Sequence, residues 1–166
     1  MTDVAPQVDL LTGAYQRGRF EDELSQAVSR AKRTGTPLSL LHVDIDELQE
    51  HNDLHGRDAL DQAVSWLASK VSAVVDGRGP IGRIGGDELA VLMLGVGIEK
   101  AAELAETLRR LVPKTLHASS FGDYRLTVSV GVVAMRPEEL SGNLLEAAED
   151  ACRRAKQGGR NAVCRR

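Results

Sequence analysis

The residues of this sequence with the clearest chemical potential are two neighbouring acids in the middle of the chain. Asp87 and Glu88 directly follow the glycine pair Gly85 and Gly86. Paired glycines suit a hairpin turn with positive φ angles, and they leave room for a ligand to lie against the main chain. Two acids at the start of a strand are not needed for folding, although an ordinary surface hairpin can also carry them. The segment is therefore a candidate ligand-binding turn, with a plain surface hairpin as the alternative.

A second acidic pair lies at the end of an apolar run. Residues 38–45 are predicted to form a buried strand, interrupted mainly by His42 and Asp44, and Asp46 follows it. Side chains two apart in a strand point to the same face, so Asp44 and Asp46 are expected to share one. A buried carboxylate is costly unless it is paired, hydrogen-bonded or bound to a metal. If the two acidic strand ends adjoin, up to four carboxylates would gather there. Such oxygen ligands suit Mg²⁺ together with substrate phosphates, which is the arrangement for phosphoryl or nucleotidyl transfer.

The elements that must position these acids follow from hydrophobic periodicity. Helical spacing predicts four helices, at about 14–33, from Asp58 as N-cap to about 74, at 98–112 and at 141–157. Apolar runs predict five strands, at 38–45, 81–84, 89–94, 126–132 and 161–164. The second and third strands are close enough for a tight hairpin, and residues 46–57 are interpreted as a polar connection. The mixture predicts an α/β (α+β) fold whose sheet is at least partly antiparallel.

Length and composition are those of one ordinary globular domain, predicted to span residues 1–166. The 42% hydrophobic and 27% charged residues exclude a disordered chain, and the net charge of −3 argues against nucleic-acid binding. No apolar run approaches the ~18 residues of a membrane span, and the first eleven residues lack the apolar core of a signal peptide. Cys152 and Cys164 have no partner motif, which indicates buried thiols and a cytoplasmic location.

Two further groups of residues could suggest binding sites. Residues 151–166 carry six Lys or Arg and no acid. Taken alone, this pattern is typical of a solvated helix end that complements the helix dipole. The four histidines are scattered without ligand spacing and are interpreted as ordinary surface or core residues. They are His42, His51, His55 and His117.

Taken together, the motifs resemble those of GGDEF domains, the diguanylate cyclases, over about residues 9–164. Each motif is weak alone, but they occur in the order and at the separations typical of that family. The matching residues are Asp9-Leu10-Leu11-Thr12-Gly13 with Phe20, Val43-Asp44-Ile45-Asp46, Asn52-Asp53 with Gly56, Asp61, Arg83-Ile84-Gly85-Gly86-Asp87-Glu88, Thr127-Val128-Ser129-Val130-Gly131, Ala155-Lys156 and Gly159-Arg160-Asn161.

The resemblance implies a palm-like or ferredoxin-like fold with a central, mostly antiparallel five-stranded sheet flanked by helices, similar to class III nucleotide cyclases. It also implies that Asp44 and Asp87 supply side-chain ligands to Mg²⁺ or Mn²⁺, that the carbonyl of Ile45 helps, and that Glu88 assists the chemistry. The substrate-binding residues that it implies are Asn52 and Asp61 for the guanine base, Gly85 and Gly86 for close approach of the nucleotide, and Lys156 and Arg160 for the terminal phosphates.

The resemblance further implies a reaction and partners. In this family two subunits, each holding one GTP, face each other and join the two nucleotides into cyclic di-GMP with release of pyrophosphate. The expected substrate is therefore GTP, and the expected partner is a second copy of the chain in a transient or regulated homodimer. A sensor or receiver domain is expected outside this chain.

Several residues depart from the family pattern. The segment Glu47-Leu48-Gln49 stands where the family prefers an aromatic residue and then a lysine, so Gln49 lacks a charge that normally meets a phosphate. The register of the family's product-inhibition motif, Arg-x-x-Asp, holds Asp76 and Gly79, so no product-inhibition site is expected. Three interpretations follow: an active cyclase, a catalytically weak domain that binds GTP as a regulatory or sensor module, or an unrelated ferredoxin-like domain. The retained candidates for metal, base and phosphate binding favour the first.

Overall fold

The protein is described by a computed structural model that covers residues 7–114, 117–119 and 122–166. Six strands form one mixed sheet, and two short strands form a separate ribbon. The elements in chain order are β1 (Tyr15–Gln16), α1 (Arg17–Thr34), β2 (Leu38–Ile45), α2 (Leu48–His55), α3 (Arg57–Val75), β3 (Ile81–Arg83), β4 (Glu88–Leu94), α4 (Ile98–Lys114), β5 (His117–Ser119), β6 (Gly122–Tyr124), β7 (Val128–Ala134), α5 (Ser141–Gln157) and β8 (Val163–Arg165).

The centre of the sheet is β2, which pairs antiparallel with β4 on one side and with β7 on the other. The strand order is β1-β3-β4-β2-β7-β8, and the outer pairs β1–β3 and β7–β8 are parallel. The predicted mostly antiparallel sheet is confirmed, but the predicted number of five strands is wrong because β1 adds a sixth. A strand of two residues is too short to show an alternating pattern, so the sequence does not reveal it.

Two layers of helices cover the sheet. Helices α3 and α4 pack on the face to which Leu41 and Val43 of β2 belong. Helices α1 and α5 pack on the opposite face, against Leu40. Because side chains alternate along a strand, His42 and Asp44 continue the face of Leu40. The apolar strand therefore delivers Asp44 to the edge of the layer formed with α5.

Gly131 of β7 allows α5 to lie close to the sheet. A Cβ atom at this position would be 2.2 Å from the carbonyl oxygen of Ala148 and 2.5 Å from the backbone nitrogen of Cys152. Any side chain would therefore push α5 away from β7. Since α5 also carries Lys156, the glycine that ends the Thr-Val-Ser-Val-Gly motif helps to set the position of this lysine.

The observed boundaries match the predicted ones to within about two residues except at the start of the first helix and around residues 46–58. Helix α1 begins at Arg17, because β1 occupies Tyr15–Gln16. Strand β2 and helix α5 begin and end where predicted. The strand predicted at 126–132 is β7, which lies two residues later, and the strand predicted at 161–164 is β8, which lies one to two residues later. The ribbon β5–β6 was not predicted. Residues 46–57 include α2, in which Leu48 is the one buried residue among the described side chains, so no apolar stripe marks the helix. Helix α3 has Gly56 as its N-cap, with φ 80°, so the prediction of Asp58 as N-cap is wrong.

Other expectations are met or stay open. Cys152 and Cys164 are free thiols, the first buried and the second half-buried. The side chains of His51, His55 and His117 lie outside the described residues, so their assignment stays a prediction. In the described part of the chain, no helix is both long and apolar enough to cross a membrane.

Candidate active site

The turn between β3 and β4 carries the Gly-Gly-Asp-Glu motif. The backbone amides of Ile84 and Gly85 donate to the carbonyl oxygen of Glu88, at 3.0 Å and 3.4 Å. Neither Gly85 nor Gly86 has a positive φ angle, so the predicted reason for these glycines is wrong. A Cβ atom at Gly85 would lie 2.1 Å from Oε2 of Glu88, whereas one at Gly86 would meet no atom within 4 Å. Gly85 therefore leaves space for the Glu88 carboxylate, and the approach to Gly86 is open.

Arg83 ties this turn to the N-terminal motif. Its Nε and Nη2 atoms donate to the carbonyl oxygen of Gly86 at 3.2 Å and 2.6 Å, and its Nη1 donates to the Asp9 carboxylate at 3.2 Å and 3.3 Å. Asp9 also accepts from the backbone amide and hydroxyl of Thr12. Partial burial acts to raise the pKa of Asp9, but the bonds from Thr12 and the charge of Arg83 lower it below its ordinary value. The first motif of the chain thus serves to hold the turn in place.

Asp44 lies at the end of β2, directly opposite Glu88 in the β2–β4 register. Its side chain is 13% exposed, and Oδ2 lies 2.9 Å from Nζ of Lys156. The second oxygen, Oδ1, is buried without a hydrogen-bond partner among the described residues. Burial raises the pKa of Asp44 to about 6; Lys156 opposes this shift, and the charges of Asp87 and Glu88 add to it. The predicted meeting of the two acidic strand ends is therefore realised by Asp44, Asp87 and Glu88.

Asp46 does not join this cluster, so the expectation of a fourth carboxylate is wrong. Its Oδ2 accepts from the hydroxyl of Thr127 at 2.7 Å and from the backbone amide of Asn161 at 2.9 Å. Its Oδ1 accepts from the hydroxyl of Ser129 at 2.7 Å. The strand ends at Ile45, so the rule that places residues two apart on one face no longer applies to Asp46. This acid joins β2, the start of β7 and the turn after α5.

Glu88 and Asp44 face a cavity of about 340 Å³ between α1, the sheet and α5. Burial, followed by the charges of Asp87 and Glu149, raises the pKa of Glu88 above its ordinary value. The residues that line the cavity are Arg17, His42, Asp44, Glu88, Glu149, Cys152, Arg153 and Lys156. The sequence interpretation did not assign Arg17, His42 or Glu149 to the site. Helical spacing from Lys156 back to Arg153, Cys152 and Glu149 was the signal that could have found the α5 residues.

His42 is the most deeply buried polar side chain of this cavity. It is 2% exposed, and neither ring nitrogen has a hydrogen-bond partner among the described residues. Its Nε2 lies 3.9 Å from Oε1 of Glu88. Burial lowers the pKa of His42 to about 4, and the charges of Lys156 and Arg17 contribute. The ring is therefore neutral at physiological pH, which agrees with its interpretation as a core residue.

Lys156 and Arg160, the predicted phosphate ligands, differ in their surroundings. Besides Asp44, Nζ of Lys156 approaches the carbonyl oxygen of Ile45 at 3.4 Å. Arg160 is exposed, and its side chain has no hydrogen bond or ion pair to any residue that the structure describes. Its backbone lies in the left-handed region, with φ 64°, and its amide donates to the carbonyl oxygen of Ala155. The turn after α5 thus presents Arg160 to solvent one turn beyond Lys156.

The last two basic residues have structural partners. Arg166 forms an ion pair with Glu139 and donates to the carbonyl oxygen of Ala134 at 3.0 Å. Arg165 forms an ion pair with Glu99 at 3.0 Å. The interpretation of the basic C-terminal segment as a solvated helix end is therefore wrong for Arg165 and Arg166. Their ion pairs hold β8 and the residue after it against the rest of the domain.

Asn52 and Asp61, the predicted base ligands, lie on the neighbouring helices α2 and α3 and are both half-buried. Oδ1 of Asn52 is buried without a hydrogen-bond partner among the described residues. Within that same part of the chain, no hydrogen bond or ion pair joins either residue to the carboxylates at the strand ends. Oδ1 of Asn52 is therefore available to accept a hydrogen bond from a ligand. Among the described residues, the candidate base-binding residues and the candidate metal ligands are not joined by a direct hydrogen bond or ion pair.

The donors available to a cation are oxygen atoms. In the part of the chain that the structure describes, no group of three or more His, Cys, Asp or Glu side chains is arranged to hold a metal ion by itself. Asp44 and Asp87 are two carboxylates, and Ile45 adds a carbonyl oxygen. Mg²⁺ commonly uses one or two carboxylates and completes its coordination with water and substrate phosphates. The donor set fits such an ion, and the unpartnered Oδ1 of Asp44 is an atom that it would satisfy.

Comparison with known proteins gives one consistent result. A family model described as "Diguanylate cyclase, GGDEF domain" matches residues 6–162. An uncharacterized protein of Bacillus subtilis, YhcK, is 34% identical over 160 residues, which cover 94% of this chain and 44% of that protein. The probable diguanylate cyclase DgcC of Escherichia coli K12 is 32% identical over 154 residues, which cover 92% of this chain and 41% of DgcC. This chain therefore spans less than half the length of these curated relatives.

The fold has a close match among solved structures. The crystal structure of the GGDEF domain of DgcB from Caulobacter crescentus, in complex with c-di-GMP, has a TM-score of 0.91 at 30% identity. The match covers 99% of this chain and 96% of that domain. The palm-like architecture predicted from the motifs is thereby confirmed.

Proposed function

This chain belongs to the GGDEF domain family of diguanylate cyclases, and we propose that it condenses two molecules of GTP into cyclic di-GMP. The observation that carries the proposal is the meeting of two strand ends. Asp44 lies opposite Glu88 and near the charge of Asp87, and its buried Oδ1 has no partner among the described residues. A buried carboxylate oxygen without a partner is costly for folding, so its presence favours a functional role.

We assign the cation to three oxygen donors. Asp44, Asp87 and the carbonyl of Ile45 would hold Mg²⁺ or Mn²⁺. When bound, the ion would stabilise negative charge on the reacting phosphate and lower the pKa of the attacking hydroxyl. The raised pKa of Asp44 supports this role, since burial and, to a smaller extent, the charges of Asp87 and Glu88 make this carboxylate costly to ionise without a nearby cation.

The nucleotide would be bound by residues from both ends of the cavity. Lys156 and Arg160 would neutralise the terminal phosphates. The unpartnered Oδ1 of Asn52 and the carboxylate of Asp61 would accept hydrogen bonds from the donor edge of guanine. The open approach to Gly86 would let the nucleotide lie against the turn.

The proposed reaction is a nucleophilic substitution at the α-phosphorus of each GTP. The 3′-hydroxyl oxygen of one GTP forms a bond to the α-phosphorus of the other. The bond from that phosphorus to the bridging oxygen breaks, and pyrophosphate leaves. Glu88 is the acceptor that we propose for the hydroxyl proton, because its raised pKa and its place in the cavity suit it. The same step repeated on the second GTP closes the ring.

One domain holds one GTP in this scheme, so two domains must face each other. We propose a transient homodimer that brings the two cavities together. The chain covers less than half of its curated relatives, so we place the region that controls dimer formation outside residues 1–166. We propose a sensor or receiver domain as the partner that would control dimer formation.

The direct test is synthesis of the product. The purified chain is incubated at high concentration with GTP and Mg²⁺, then with Mn²⁺, and cyclic di-GMP is measured by mass spectrometry. Asp87→Asn should abolish the product. The matched control is Asp76→Asn, which changes an acid whose side chain is 81% exposed at the end of α3 and should leave activity intact. Absence of product from the wild type at concentrations that force dimers would refute the proposal.

A second function is favoured by the entry to α2. Glu47 and Gln49 are both exposed. Gln49 has an uncharged amide where the family prefers a lysine, and Glu47 adds a negative charge close to it. Weak phosphate binding would leave a domain that binds GTP as a regulatory module without turnover. Calorimetric binding of GTP with no cyclic di-GMP formed would select this function over catalysis.

A further inference from the structure

The ammonium group of Lys156 lies on the oxygens that we assign to the metal. Its Nζ is 2.9 Å from Oδ2 of Asp44 and 3.4 Å from the carbonyl oxygen of Ile45. A divalent cation on Oδ1 of Asp44, which has no partner among the described residues, and on the Ile45 carbonyl would lie against the same carboxylate and the same carbonyl as this ammonium group. The lysine and the ion therefore repel each other and compete for these two groups.

The position of Lys156 is built into the fold. Its helix is held against β7 at Gly131, where a Cβ atom would collide with the backbone of α5. The preceding residue, Ala155, is buried, and the Lys156 side chain is only 29% exposed. A lysine that contacts a carboxylate only by chance on the surface would be mostly exposed to solvent. The Lys156 side chain, in contrast, is mostly buried.

The electrostatics of the cavity explain why a positive charge is needed there. The Asp44 side chain is only 13% exposed, and Asp87 and Glu88 add negative charge around it. Lys156 opposes this charge, through a hydrogen bond to Asp44 and its coulombic attraction. Without it, this carboxylate would lose the cation in contact with it, which is unfavourable for a largely buried charge.

From this contact we propose that Lys156 is an internal cation that closes the metal site of the nucleotide-free domain, so that metal and GTP bind together and the metal does not bind first. This inference rests on the proposed function, because the phosphates of GTP are the acceptors that would draw Lys156 away from Asp44. Arg160, one turn further on and without a protein partner among the described residues, would meet the same phosphates. Occupancy of the site by metal is then coupled to occupancy by nucleotide.

The test measures binding of Mn²⁺ without catalysis. Free Mn²⁺ is followed by electron paramagnetic resonance at two alkaline pH values, and variants are compared only by affinities that agree at both, so that competition from protons does not contribute. Lys156→Met should bind Mn²⁺ alone at least about tenfold more tightly than the wild type, equivalent to about 1.4 kcal/mol. Lys156→Gln serves as a second variant if the first is poorly folded, and thermal melting checks both. Asp44→Asn in the Lys156→Met background should remove the binding.

The matched control is Arg160→Met, which removes a nearby positive charge that does not touch Asp44. In the absence of nucleotide, it should leave Mn²⁺ binding unchanged. The titrations are repeated with a GTP analogue in which a methylene group replaces the α,β-bridging oxygen, so that no turnover occurs. In the wild type the analogue should tighten Mn²⁺ binding, and Mn²⁺ should tighten binding of the analogue by the same factor. In Lys156→Met this coupling should fall about tenfold, because the analogue then has no lysine to draw away from Asp44.

The outcomes separate this inference from the proposed function. Equal Mn²⁺ affinity of the wild type and Lys156→Met, with Mn²⁺ and the analogue still binding together, would overturn the inference alone. Equal tightening by Lys156→Met and Arg160→Met would also overturn it, because the effect would then be one of general charge. Failure of every variant to bind Mn²⁺, with or without the analogue, would refute both the inference and the proposed site.

Discussion

Removal of Asp46 tests whether this acid has a structural or a catalytic role. The structure gives it three hydrogen-bond donors, namely the hydroxyls of Thr127 and Ser129 and the backbone amide of Asn161. The residue is 3% exposed and belongs to none of the groups that face the cavity. We therefore expect Asp46→Ala to destabilise the fold and Asp46→Asn to be tolerated.

The magnitude follows from what happens to each donor. Ser129 is fully buried, so Asp46→Ala leaves its hydroxyl without a partner, at a cost of about 1–3 kcal/mol. Thr127 is half-buried and Asn161 is exposed, so water can replace Asp46 and each loses about 1 kcal/mol. The expected loss is about 3–5 kcal/mol in the free energy of unfolding. In Asp46→Asn, the amide oxygen can face Thr127 and Asn161 while the amide nitrogen donates to Ser129, so the loss should be about 1 kcal/mol.

The assay is urea unfolding followed by circular dichroism, with the slope of the transition compared between variants. A loss below about 1 kcal/mol for Asp46→Ala, or an equal loss for both variants, would refute the hydrogen-bond account. Cyclic di-GMP synthesis provides a second readout. Asp46→Asn should retain it, whereas Asp44→Asn should abolish it. Equal loss of activity in both variants would show that Asp46 belongs to the metal site after all.

Three further predictions concern charge in and around the site. Because burial raises the pKa of Asp44 from 3.8 to about 6, the native state binds this proton more tightly than the unfolded chain does. As the pH rises from about 4 to about 6, the free energy of unfolding of the wild type should fall by roughly 2–3 kcal/mol relative to that of Asp44→Asn, because the unfolded chain gives up this proton more readily. Urea unfolding at several pH values measures this, and parallel pH profiles would contradict it. Gln49→Lys should lower the KM for GTP about fivefold through about 1 kcal/mol of phosphate contact, discounted for its exposure, whereas Glu50→Gln should not, and steady-state kinetics decide between them. Arg78 donates to the carbonyl oxygen of Val75, and the inhibition motif is absent, so added cyclic di-GMP should not inhibit through this separate site; a dose-dependent fall in rate at saturating GTP would overturn this expectation.

The sequence by itself determined the parts of this protein that depend on local pattern. The run from Leu38 to Ile45 is mostly apolar, and its ends are those of β2. The helical spacing that ends at two glycines placed α5 at Ser141–Gln157. The order of the motifs identified the family, and an acid at the end of a mostly apolar strand marked Asp44 as a candidate metal ligand. These features repeat within a few residues, so periodicity reveals them.

Tertiary structure decided which atoms meet. Asp44 and Asp46 carry the same chemistry two residues apart, yet only Asp44 faces the cavity. The partners that divert Asp46 lie 81 to 115 residues further along the chain. Helix α2 and strand β1 escaped the pattern because one has a single buried residue among its described side chains and the other has only two residues.

The position of Lys156 is the clearest case of this kind. Its contact with Asp44 joins residues that are far apart in the chain, and it depends on the close approach of α5 to Gly131. Sequence pattern assigns a lysine to a helix face but does not encode the distance between that face and a strand. Only the packing of α5 against the sheet fixes that distance, and with it the competition between the lysine and a metal ion.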